Sequence, residues 1–254
     1  MSVRGAAAVA VAMCVVASGC GRAADQAEQT PLTAESSSGT TSSASAASSA
    51  PAFGYTPVLE PVTGVEGMVT YDVQLPQLSG GVPAVRDRFN DGMRSGLRDV
   101  IDTLSGPGKS QQVSISDGDI GTEREGTRVA MIGPHAVAGI QVYLWYAGGA
   151  HPNQSVSTFV VNSDTAQPIT YDDLFPNQYA ALERLRQVLP DLDPTARVRR
   201  ETVNGRLEQW LPVPAGLRFY VPVSHAAGDF VPITVPWEKI RDQVAPEFIP
   251  VLSQ

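Results

Sequence analysis

No aromatic residue occurs before Phe53. The stretch from Gly21 to Ala52 is dominated instead by Ser, Ala, Thr and Gly, most densely between Ser36 and Ser49. A segment of that composition cannot bury enough apolar surface to offset the entropy of ordering it, so residues 20–52 are expected to form a disordered linker. Any core must then come from residues 53–254, about 200 residues, which suffices for one domain with a sizeable interior.

The segment ahead of the linker reads as a leader. Arg4 is its only charge, and Gly5 to Val16 is an apolar run of Ala, Val and Met with Cys14 inside it. That run is shorter than the about 20 residues needed to cross a bilayer. It ends in Val16-Ala17-Ser18-Gly19-Cys20, which reads as a bacterial lipoprotein signal, with Ala17 where Leu is usual. Cleavage after residue 19 leaves Cys20 as the first residue, with a diacylglycerol on its thiol. Cys14 is lost with the leader, so the mature chain holds one cysteine and no intramolecular disulfide. The expected location is the outer face of the cell membrane, reached through a lipid anchor on Cys20, with a fraction of the protein secreted.

The net charge of −8 sets the class of partner. Without a basic patch, nucleic acid is not an expected ligand. Repulsion by anionic headgroups favours a domain that stands off the bilayer. His135, His151 and His225 are dispersed and have no neighbouring cysteine, so no zinc pattern exists. Asp117-Gly118-Asp119-Ile120-Gly121 begins like a calcium loop, but Arg128 stands where its final glutamate should be. No phosphate loop or dinucleotide fingerprint is present, and no metal or cofactor is expected.

Periodicity gives the elements. Met68 to Leu78 opens as a strand. Val85, Phe89, Met93, Leu97, Ile101 and Leu104 then recur at helical spacing after Pro83, and Ser105-Gly106-Pro107-Gly108 stops them. Gly92 and Gly96 each cost this helix about 1 kcal/mol relative to Ala, so packing must hold it. Thr127–Ile132, Val137–Tyr146 and Val156–Val161 read as strands. A helix is expected over Gln178–Leu189, ended by Pro190. Leu217–Val221 and Val231–Val235 form a last strand pair, with Pro232 at an edge, before a helix over Trp237–Val244. Helices segregated from strands, without a repeating βαβ rhythm, make an α+β fold with a mostly antiparallel sheet.

The loop Tyr146-Ala147-Gly148-Gly149-Ala150-His151-Pro152 has a structural reading in its glycines, which permit positive φ or close backbone approach. Its histidine suits a general base or a ligand contact. Trp145 and Tyr146 beside it suit either sheet packing or a stacking platform for a sugar or peptide. Asp172-Asp173 suits the start of a helical turn.

That loop, followed by Phe159-Val160-Val161-Asn162 and by Gln167-Pro168-Ile169-Thr170-Tyr171-Asp172-Asp173-Leu174-Phe175, resembles the extracytoplasmic domain of the anti-sigma factor RsiV and of the secreted immunogenic antigens of actinobacteria. Tyr71-Asp72-Val73 to Pro76 and Leu217-Arg218-Phe219-Tyr220 with Val231-Pro232-Ile233 resemble its opening and closing strands, so the likeness spans most of 60–245. The resemblance implies an α+β fold presented outside the cell, and two different activities: recognition of an extracellular protein such as lysozyme, or carboxylesterase action. RsiV's membrane helix and sigma-binding segment have no counterpart here.

The leading expectation is a non-enzymatic, envelope-anchored binding domain for a wall glycan or an extracellular protein such as lysozyme, with Trp145, Tyr146, Gly148, Gly149 and His151 at the site. The alternative is an esterase of short acyl esters, with His151, Ser155 and Asp172 as base, nucleophile and acid. The G-x-S-x-G nucleophile elbow is absent from the sequence.

Overall fold

A computed structural model describes residues 47–253, apart from 107 and 109. The leader, Cys20 and most of the expected linker lie outside the described residues. Within 47–52, Ser49 donates its backbone N–H to Val129 O at 2.9 Å and its hydroxyl to Ala130 O at 2.9 Å, so this stretch lies along the folded domain.

The chain begins with a hairpin of β1 (Tyr55–Glu66) and β2 (Val69–Gly80), paired along their whole length. Helix α1 (Pro83–Ser105) follows, then β3 (Val113–Asp117) and the short antiparallel pair β4 (Asp119–Ile120) and β5 (Glu125–Gly126). Next come β6 (Arg128–Ile132), β7 (Ala136–Tyr146) and β8 (Asn153–Asn162). Helices α2 (Tyr171–Leu174) and α3 (Gln178–Leu192) lead to β9 (Trp210–Val213), β10 (Gly216–Pro222) and β11 (Phe230–Pro236). The short helices α4 (Trp237–Ile240) and α5 (Ile249–Leu252) close the fold. The fold is α+β, and every strand pairing among the described residues is antiparallel except β2 with β3.

Strand β7 organises the six-stranded sheet. Along one edge it pairs with β8 from Ala136 to Trp145; along the other it meets β6 near one end and β3 near the other. Its side chains alternate between two cores. Ala136, Ala138, Ile140 and Val142 join a core with the three-stranded sheet β9–β10–β11 and helix α3. Val137 and Tyr143 join the core under α1, where Val85, Phe89, Met93, Leu97 and Ile101 form the buried stripe. The described domain is thus layered as helix, large sheet, small sheet with helix. Each fully buried side chain of this size contributes about 1.5–3 kcal/mol.

Three expectations need correction. The first strand of the domain is β1, thirteen residues ahead of Met68, and its exposed residues with Pro57, Pro61 and Gly64 carry no clean alternation. Helix α3 runs two residues past Pro190, which sits in the last turn. The helix expected over Trp237–Val244 is regular only to Ile240. Pro232 does lie on an edge strand, since β11 pairs with β10 alone. The would-be calcium loop is spent on the fold: Asp117 accepts Gln74 N at 3.0 Å and Asp119 pairs with Arg124 at 2.7 Å.

Candidate functional site

The two glycines of α1 shape a concave surface beside the helix. An added Cβ at Gly96 would lie 2.5 Å from Ser157 Oγ and 2.6 Å from Gln141 Oε1, and one at Gly92 would enter the Phe159 ring. The helix therefore rests almost directly on β8 and β7. It is pinned there by the buried Gln141, whose Nε2 donates to Met93 O at 2.6 Å. A groove opens between this helix, the outer side of β8 and the segment Arg206–Trp210. One chamber, of about 440 Å³, extends to Tyr171 and Asp172. A second, of about 420 Å³, extends to Trp145 and Ser155. They share Gly96, Asp99, Ser157 and Gln209, so they are two ends of one channel. Each has the size of an ordinary small-ligand site, about 300–1,000 Å³.

Side chains replace a neighbouring strand along the outer edge of β8. Gln209 Oε1 accepts Thr158 N at 2.8 Å, and Trp210 N donates to Thr158 Oγ1 at 3.0 Å. Asp229 Oδ2 accepts Gln154 N at 2.9 Å. At the far end Arg206 pairs with Asp172, contacts Glu208 at 3.2 Å, and lies 5.7 Å over the Tyr171 ring. Burial pushes the Tyr171 phenol up from its ordinary value, opposed by Arg206, and its hydroxyl has no hydrogen-bond partner among the described residues. Asp172 and Asp173 start α2 inside a capping box with Thr170, as the carboxylate pair suggested.

A second cluster lies in the loops. Gly148 and Gly149 both take positive φ, 86° and 122°, and Tyr146 donates its hydroxyl to Gly149 O at 2.9 Å. The turn so formed carries the exposed His151, whose ring centroid lies 4.2 Å from that of His225. His225 is oriented by Asp229, with Nδ1 2.9 Å from Oδ1. The same carboxylate thus aligns an imidazole and holds the start of β8.

The expected site residues fall in three places. Ser155 and Trp145 line one chamber, Asp172 lines the other, and Tyr146, Gly148, Gly149 and His151 belong to the loop cluster. No hydrogen bond joins His151, Ser155 and Asp172 among the described residues, and no group of His, Cys, Asp and Glu there could hold a metal ion. Arg206, Gln209 and Asp99 were not expected. They are ordinary polar residues in sequence, brought together only by tertiary packing. His225 and Asp229 form a His-x-x-x-Asp pair across a turn with Gly228 in the left-handed region, a short-range signal that was available.

A helix layered on a mostly antiparallel sheet is an arrangement seen in solved structures. A DUF3298 family member from Bacteroides fragilis superposes with a TM-score of 0.53 at 14% identity, over 79% of this chain and 96% of that one. A DUF3298 family protein from Pseudomonas aeruginosa gives 0.51 at 12% identity, over 77% and 96%. No protein-family description and no curated protein matches the sequence.

Proposed function

We propose that this chain is an envelope protein of the DUF3298 and RsiV-like kind, anchored to the outer face of the membrane through a lipid on Cys20. Its α+β domain binds a wall glycan or an extracellular protein such as lysozyme in the groove along β8. Recognition, not turnover, is its role. The observation that carries this reading is the groove: two adjoining chambers lined by polar and apolar side chains together, with walls formed by α1 and β8, while His151, Ser155 and Asp172 stand apart. A nucleophile needs a base within hydrogen-bond reach, and Ser155 has none among the described residues.

The rival reading, an esterase of short acyl esters, draws on His225 and Asp229, which form a base with its orienting acid at 2.9 Å. Purified protein should bind lysozyme or wall glycan saturably and leave p-nitrophenyl acetate intact. Turnover abolished by His151→Ala or His225→Ala, with the fold retained by circular dichroism, would defeat the binding role. Mass spectrometry of the native protein tests the anchor: an unmodified Cys20 or a retained leader removes it.

A further inference from the structure

The groove's unspent chemistry points to an uncharged, polyhydroxylated ligand, an oligosaccharide lying extended along β8; this inference rests on the groove being the binding surface. Ser95, Asp99 and Ser157 line it and make no side-chain hydrogen bond among the described residues. Gln209 uses only its carbonyl oxygen, on Thr158, which leaves its two amide hydrogens for a ligand. Carboxylate and hydroxyl acceptors beside one amide donor match a ligand dense in O–H groups, each of which donates and accepts. Trp145 adds a flat apolar face at one end.

Charge and edge geometry narrow the class further. Asp99, Asp172 and Glu208 outnumber the one guanidinium, and Arg206 is already engaged by the latter two. A sulfated or uronic chain is therefore repelled, whereas a neutral one is not. An extended peptide would bind by adding a strand to β8. Two of the outward N–H groups it needs, those of Gln154 and Thr158, are occupied by Asp229 and Gln209.

Calorimetry with neutral tetrasaccharides of glucose and of N-acetylglucosamine tests this, with a heparin fragment and lysozyme as comparisons. The expected result is saturable binding of a neutral tetramer and none of heparin. Asp99→Ala should weaken that binding about tenfold or more, the worth of a hydrogen bond to a charged group. Ser95→Trp should abolish it. Both positions are exposed on α1, so melting temperatures should stay at the parent value. Absence of tetramer binding, or binding indifferent to both substitutions, overturns the inference. If lysozyme alone binds, and Ser95→Trp abolishes that, the groove remains the binding surface and the sugar assignment falls. If no probe responds to Ser95→Trp, both fall.

Discussion

Gly96 of α1 and Ser157 of β8 meet with no room for a single added carbon, since a Cβ on the glycine would sit 2.5 Å from the serine Oγ. Alanine there gains about 1 kcal/mol of helix propensity. The overpacking it causes costs about 1–3 kcal/mol. Chemical denaturation of Gly96→Ala should therefore show a net loss of stability, and the Gly96→Ala/Ser157→Gly double variant should recover part of it. A gain in the single variant would mean that the helix shifts freely on the sheet.

Glu125 is the buried centre of an ionic cluster. It pairs with Arg218, contacts Arg128 at 2.9 Å and accepts the Tyr220 hydroxyl at 2.8 Å. Burial pushes the Tyr220 phenol up, and the neighbouring Glu125 carboxylate pushes it the same way. Removing one partner from such a cluster strands the other charges and costs about 3–5 kcal/mol. Glu125→Ala should approach that loss in urea titrations, and Tyr220→Phe should cost no more than about 1–3 kcal/mol.

Asp193 governs stability on the acid side. Burial raises its carboxyl, but hydrogen bonds from Thr195, Val198 and Arg197 win and hold it below the ordinary 3.8. A carboxyl lowered in the fold contributes stability above its unfolded value and loses it as pH falls through the folded one. Asp193→Ala should cost about 1–3 kcal/mol at neutral pH, and its deficit should shrink in melts taken progressively below pH 4.

Asp117 has the opposite sign. Burial, with Asp72 adding to it, raises its carboxyl despite the Gln74 N–H. Its effect is to lower stability as pH rises from the unfolded value towards the folded one. Asp117→Asn should flatten that part of the stability curve, which melts between pH 3 and pH 6 will show.

The fold was legible where burial is one-sided or continuous. The stripe from Val85 to Ile101 gave α1, and the apolar run to Tyr146 gave β7. Strand β1 was not legible, because it is an exposed edge interrupted by Pro57 and Pro61, and β3 spans only Val113–Asp117. The cost of the glycines in α1 is legible in the sequence, but their reason lies in Ser157 and Phe159, about sixty residues away in sequence. The site was less legible still. His151 and Asp172 stood out through local motifs, whereas Asp99, Arg206 and Gln209 carry no motif and converge only after the helix docks.

The plugs on β8 have a consequence beyond ligand choice. Bare strand margins invite copies of a protein to zip together, and the risk grows wherever molecules are crowded. With Gln209 and Asp229 seated on Thr158 and Gln154, that margin offers a stranger no continuous ladder. The domain can leave a long channel open to solvent and still resist clumping.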